Sequence, residues 1–259
     1  MNRHISSYLF ILMGWVICSV WISCSKENSP SPSAVASLNV VNALPTSNPL
    51  ILVQGPISAA IGQFSNIYPL SYGSVAVLTP PRGSETLYAL QSDVDTASVS
   101  GQGGEYMFNS ALSFTSGNLY SLFIAGTDTT SPDYLFVQDT IVQRTDSTVG
   151  IRFVNLSTGS NPVSIDMQGQ AIGGVVASLG YKGITGFISF PATSAISSYV
   201  FEFRDAVSGN LLTSYTLSRV NTNSPTVANT VLFRSLTIAL IGQPAGGEVA
   251  QSCIRVNSF

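Results

Sequence analysis

The chain has 259 residues, of which 45% are hydrophobic and only 9% are charged, and its formal net charge is −3. Its length allows one or two domains, and its 13 Phe and 10 Tyr argue against disorder, because disordered chains are charged and poor in aromatic residues. Its 10 Lys and Arg residues are spread along the sequence and form no basic cluster, so no nucleic-acid partner is expected.

The first 24 residues have the pattern of an export signal. A charged start, MNRH, precedes an apolar run over residues 8–22 that is too short for a comfortable membrane span. The run ends in Ser23-Cys24-Ser25, which resembles the lipobox of bacterial lipoproteins in the loose form typical of Bacteroidota, with Trp21 where Leu, Val or Ile is usual. The resemblance implies cleavage before Cys24 and a diacylglycerol on its sulfur. An ordinary cleavable signal and a retained anchor helix are the alternatives.

Removal of residues 1–23 would change the available chemistry. His4 is the only histidine, and both tryptophans lie in the removed segment. Ser-His-Asp and Cys-His catalysis and most zinc sites would therefore be excluded, so we expect no enzyme activity, no cofactor and no metal. With Cys24 lipidated, Cys253 would be left without a disulfide partner, and it is interpreted as a small hydrophobic residue in a terminal strand.

The rest of the chain predicts an all-β fold. Residues 24–35 form a lipidated cysteine and a Ser/Pro-rich tether, after which turn residues alternate with β-branched and aromatic runs without a helical period. Alternating apolar residues over 163–168, 199–204 and 211–218 predict strands with one buried face, the last two joined in a hairpin. Residues 119–125 are apolar on both faces, as in a central or doubly covered strand.

An internal repeat predicts two domains. LNVVNAL at residues 38–44 is echoed by IRFVNLS at 151–157, and the Ser-Asn-Pro of residues 47–49 returns at 160–162. Further matches follow in the same order, including Tyr72 with Tyr181. We therefore expect two tandem antiparallel β-sandwiches, at residues 36–145 and 149–259, each of the size of a seven- or eight-stranded sandwich.

The second repeat carries a motif. It consists of Arg152, Asn155 and Ser157, followed by Asp166 and then by the Leu-Gly-Tyr that ends at Tyr181. This series resembles the domain of unknown function 4397 of secreted and lipid-anchored bacterial proteins. The resemblance implies an immunoglobulin-like β-sandwich without an established activity. The first repeat lacks counterparts of the arginine and of Asp166, so we expect Asp166 to have a turn or edge role.

Two acidic residues could carry chemistry. Asp93 and Asp95 lie in a Ser/Thr-rich stretch that favours a solvated loop, and a weak calcium site is the alternative. As an acid pair they could also serve a hydrolase, which is the least favoured function. The glycines of residues 101–104 lack the Lys-Ser/Thr ending of a phosphate loop.

Two functions remain. The first is a non-enzymatic lipoprotein of the outer membrane or cell surface that acts as a structural, adhesion or assembly module among envelope proteins. The alternative is a glycan-binding module of a surface polysaccharide-uptake system. Four tyrosines near predicted loops could supply rings for stacking on sugars: Tyr68, Tyr72, Tyr106 and Tyr134.

Overall fold

A computed structural model describes residues 35–45, 47–54, 69–91, 106–220 and 229–258. These residues form fifteen β-strands and no helix, which confirms the all-β prediction. In this described part, no helix is long and apolar enough to cross a membrane. Cys24, Tyr68, Asp93, Asp95 and the glycines of residues 101–104 lie outside it.

The first seven strands form two sheets. They are β1 (Ser37–Asn42), β2 (Leu50–Gln54), β3 (Val75–Leu78), β4 (Gly83–Gln91), β5 (Phe108–Phe114), β6 (Leu119–Ala125) and β7 (Asp133–Asp139). One sheet has the order β3-β1-β6-β7 and the other β2-β4-β5. We call this pair of sheets the first sandwich, because apolar side chains from both sheets, Leu38, Leu87 and Leu122 among them, share one core.

The last eight strands repeat this arrangement. They are β8 (Thr148–Asn155), β9 (Val163–Met167), β10 (Val176–Leu179), β11 (Ile188–Pro191), β12 (Ser198–Asp205), β13 (Leu211–Ser218), β14 (Ser235–Ile241) and β15 (Ser252–Asn257). The sheets have the orders β11-β8-β14-β15 and β10-β9-β12-β13. This second sandwich has its own core, which includes Phe153, Phe201 and Phe203.

The strand order refines the sequence-based expectation of antiparallel, immunoglobulin-like sheets. Most described strand pairs are antiparallel, but β1 runs parallel to β6, and β8 parallel to β14. The first two strands of each sandwich lie in different sheets, whereas an immunoglobulin domain has its first two strands in one sheet. The predicted hairpin is β12 and β13, which are paired along their length with one irregularity after Phe203.

A third apolar cluster explains the strand that is apolar on both faces. We call β3-β1-β6-β7 and β11-β8-β14-β15 the inner sheets. Along β6, Leu122 and Ile124 belong to the core of the first sandwich, while Phe123 and Ala125 belong to a cluster with residues of the second sandwich. The inner sheets therefore pack face to face, and β6 is covered on both sides, as its sequence predicts.

Candidate functional site: the junction of the inner sheets

The surface where the inner sheets meet, here called the junction, is built from corresponding positions of the two sandwiches. Val41, Phe123 and Leu135 lie side by side across β1, β6 and β7. Their counterparts across β8, β14 and β15 are Val154, Ala239 and Ile254. All six belong to the junction cluster. Each sandwich contributes the same patch to this surface. The junction therefore resembles the interface of an isologous dimer, although both halves belong to one chain.

A buried ion pair lies in the junction. Arg152 Nη1 is 2.6 Å from Asp139 Oδ1, and the side chains are only 4% and 0% exposed. Ser121 donates a 2.7 Å hydrogen bond to Asp139 Oδ2 and accepts one of 2.9 Å from Arg152 Nη2. Arg152 Nε donates to Thr237 Oγ1 at 2.7 Å. Burial lowers the pKa of Arg152, and the adjacent Asp139 acts against this shift. The arginine of the motif is thus a link between the two sandwiches.

A second, more exposed polar group crosses the junction. Tyr181 Oη donates to Asp133 Oδ2 at 3.1 Å, and Lys182 Nζ is 2.9 Å from Asp133 Oδ1. The hydrogen bond from Lys182, followed by that from Tyr181, holds the pKa of Asp133 below its usual range despite some burial. Lys182 has a φ of 57°, and its counterpart after Tyr72 is Gly73, with a φ of 74°. Only the glycine takes this left-handed conformation without steric cost.

Tyr72, the counterpart of Tyr181, packs against the junction cluster. Its hydroxyl is buried without a hydrogen-bond partner among the described residues. Burial raises the pKa of Tyr72 to about 12, and the pKa of Tyr181 is likewise raised to about 12, mainly by burial. Between pH ~10 and ~12 the folded chain therefore keeps protons that the unfolded chain releases, so stability falls as the pH rises through this interval.

Tyr72→Phe should reduce this alkaline loss of stability and leave stability at neutral pH unchanged or higher, because it removes a buried hydroxyl that has no described partner. Tyr181→Phe should also reduce the alkaline loss but cost about 1 kcal/mol at neutral pH, because it removes the bond to Asp133. Urea unfolding at neutral pH and at pH ~11 measures both effects. If Tyr72→Phe destabilises the protein at neutral pH, the Tyr72 hydroxyl makes a stabilising hydrogen bond, which would contradict this prediction.

One asparagine in each sandwich holds the turn that follows the first strand. Asn155 Nδ2 donates to Leu179 O at 3.0 Å, and its Oδ1 accepts from Ser157 N at 3.0 Å. Asn42 makes the same two bonds, to Leu70 O at 3.1 Å and from Leu44 N at 3.1 Å. Both side chains are fully buried. The asparagine of the motif is therefore a structural element that occurs in both sandwiches.

Asp166 also has a structural role. It is 1% exposed. Its Oδ1 accepts a hydrogen bond from Gly173 N at 2.9 Å, and its Oδ2 is 3.1 Å from Arg204 Nε. Arg204 also binds Glu202. Asp166 thus holds the segment after β9 against its sheet, in agreement with the turn role expected from the sequence.

The three described tyrosines of the predicted glycan platform are not brought together. Tyr72 packs at the junction, Tyr106 packs on Tyr88 with ring centroids 4.9 Å apart, and the partly exposed Tyr134 packs edge-on against Phe108. Cys253 lies in β15 against the core of the second sandwich, and burial raises the pKa of its thiol. Within the described ranges, no group of three or more His, Cys, Asp or Glu is placed to hold a metal ion.

Two grooves open beside the junction, and neither is evident from the sequence. We call the first, of about 360 Å³, the arginine groove. Its lining includes Asn39 and Val77 from the first sandwich and Thr230, Arg234, Leu236 and Arg255 from the second. The Arg152 groove, of about 380 Å³, is lined by residues that include Gln138, Arg152, Thr185 and Phe187. Both volumes are in the range of small-ligand sites.

Comparison with known proteins yields no family, and the structural similarities are distant. No protein-family model matches the chain, and no curated protein matches it. A family 26 carbohydrate-binding module of Eubacterium rectale Amy13K, solved with maltoheptaose, is 10% identical and has a TM-score of 0.25, with 86% of this chain and 97% of that chain covered. A streptococcal virulence factor that binds alpha-glucan is 12% identical, with a TM-score of 0.25 and coverages of 80% and 93%. At TM-scores this low, neither similarity indicates a function for this chain.

Proposed function

We propose that the chain is a non-enzymatic, lipid-anchored structural or adhesion module of the bacterial envelope. The observation that carries this proposal is the junction, in which an apolar cluster and the buried Arg152–Asp139 pair join the two sandwiches. Two sandwiches joined through such a surface move as one stiff body, whereas domains joined only by a linker reorient freely. A stiff body on a lipid anchor is suited to hold a binding surface, or a neighbouring protein, at a fixed distance from the membrane.

Cys24→Ser should release the protein from the membrane fraction, because it removes the sulfur that would carry the lipid. Cys18→Ser is the matched control, since it alters the same apolar segment without touching the proposed attachment site, and it should leave the protein in the membrane fraction. Fractionation with immunoblotting, together with incorporation of labelled fatty acid, measures the anchor. The adhesion role is tested with a deletion strain, which should attach to surfaces less well than its parent. The wild-type protein should restore attachment, and Cys24→Ser should not.

Retention of Cys24→Ser in membranes, with no lipid label on the wild-type protein, would contradict the anchor and favour a retained apolar helix. Normal surface attachment and envelope integrity in the deletion strain would contradict the structural and adhesion role.

A second candidate function is glycan binding, and the observation that favours it is the arginine groove. Its lining combines the exposed apolar side chain of Val77 with exposed hydroxyl and amide groups, those of Thr230 and Asn257. Sugar rings present the same combination, with apolar C–H faces and hydroxyl edges. The groove therefore replaces the predicted tyrosines as the candidate site, and titration with glycan oligomers of the wild type and of Arg234→Gln and Arg255→Gln tests it.

A further inference from the structure

The arginine groove has two positive charges with no balancing carboxylate among the described residues. Arg234 and Arg255 both line it, and none of its described lining residues is acidic. The ion pairs of the described residues involve Arg152, Lys182 and Arg204 but neither of these two arginines. In a chain with a net charge of −3, two such guanidinium groups in one concave site favour an anionic ligand.

Arg255 is held in place before any ligand binds. Its Nε donates to Asn257 Oδ1 at 2.8 Å, and its Nη2 donates to the Thr230 carbonyl at 2.8 Å. These two bonds use two of the five N–H donors of a guanidinium group and restrict its orientation. Arg255 is partly buried, and this burial lowers the pKa of its guanidinium group. A fixed and partly desolvated cation binds an anion with less entropy loss than a mobile one.

The Arg152 groove provides an internal comparison. Arg152 holds the position in β8 that Asn39 holds in β1, since each pairs with the equivalent residue of the neighbouring parallel strand. Its charge is balanced by Asp139, and its Cζ lies 4.8 Å from the centroid of the Phe187 ring. The arginine of that groove is therefore satisfied within the protein, whereas Arg234 and Arg255 have no described carboxylate partner.

We propose that the arginine groove binds an acidic sugar, with the carboxylate of a hexuronic acid unit between Arg234 and Arg255. The apolar face of the ring would lie against Val77, which is 64% exposed, and the hydroxyls would contact the exposed side chains of Thr230 and Asn257. A carboxylate matches the fork of a guanidinium group in two parallel hydrogen bonds. This inference rests on the second candidate function above, and it names the class of glycan.

The test is a calorimetric titration of the full chain in detergent with an oligomer of galacturonic acid. The fully methyl-esterified oligomer is the matched neutral ligand, because it has the same rings and linkages without the charge. The acidic oligomer should bind, and its affinity should fall as the salt concentration rises. Arg255→Gln and Arg234→Gln should each weaken binding by about tenfold or more, since each removes a charge-assisted hydrogen-bond donor.

Arg82→Gln is the control variant, because Arg82 is exposed, lies outside the lining of the arginine groove and has no described ion pair. It should bind as the wild type does.

Equal binding of the two oligomers, unaffected by the arginine variants, would overturn the acidic-sugar inference and leave glycan binding supported. Binding of neither oligomer would overturn the inference, and silence across an array of neutral and acidic glycans would overturn glycan binding as well. Displacement of the acidic oligomer by inorganic phosphate at equal concentration would reduce the groove to a simple anion site and overturn the sugar assignment.

Discussion

Replacement of Asp139 by Asn should lower the free energy of unfolding by about 3–5 kcal/mol, because it leaves the charge of Arg152 buried without its partner. Both side chains are almost completely buried, and Asn keeps the shape of the carboxylate while removing its charge. Ser121 and Thr237 would still accept hydrogen bonds from Arg152, but neutral acceptors do not balance a desolvated cation. Urea unfolding at neutral pH measures the loss.

The double variant Asp139→Leu, Arg152→Met is the matched control for this prediction. It replaces the ion pair with apolar side chains of similar size, and such replacements are often neutral or stabilising. Its stability should therefore be much closer to that of the wild type than the stability of Asp139→Asn. If Asp139→Asn unfolds at the same urea concentration as the wild type, water reaches Arg152 and the junction is open at this point. If the double variant is as unstable as the single one, the loss comes from packing and not from charge.

The fold was predictable from the sequence to the extent that it depends on local pattern. Strands β9, β12 and β13 follow from alternating apolar residues, because one face of each strand packs on a core and the other faces outward. The covering of β6 on both faces follows from its unbroken apolar run. The parallel pairing of β1 with β6 was not predictable in this way, because the apolar pattern of a strand indicates which of its faces are buried and not the direction of its neighbour.

The candidate site was harder to predict, because it depends on contacts between the two sandwiches. Asp139 ends β7 and Arg152 lies in β8, so their closeness follows only from the packing of the inner sheets. One signal was present in the sequence, since Arg152 is the only charged residue of strand β8, lies between the apolar residues Ile151 and Phe153 and needs a buried partner. The arginine groove left no such signal, because Asn39 and Val77 lie far from Arg234 and Arg255 in the chain.

Asn155→Asp should destabilise the second sandwich by about 3 kcal/mol at neutral pH, because it converts a buried donor into a buried charge. The amide donates to Leu179 O at 3.0 Å, and a carboxylate oxygen at that position would face the carbonyl oxygen with no proton between them. The bond that Asn155 Oδ1 accepts from Ser157 N could still form. The loss should shrink as the pH falls, because a protonated carboxyl group can donate to Leu179 O and the variant's carboxyl therefore has a raised pKa in the folded chain.

Asn42→Asp tests whether the buried asparagine stabilises this turn in the same way in both sandwiches. Its amide donates to Leu70 O at 3.1 Å, and its side chain is as completely buried as that of Asn155. A loss of similar size, with the same recovery at low pH, is expected in urea unfolding. Asn48→Asp is the control, because Asn48 is exposed in the turn region that follows β1 and bonds Gln91 Oε1 through its backbone N–H, and it should change stability by less than about 1 kcal/mol. A loss in only one of the two buried variants would mean that the turns are not equivalent, and a loss that stays constant with pH would mean that packing, and not the missing proton, is its cause.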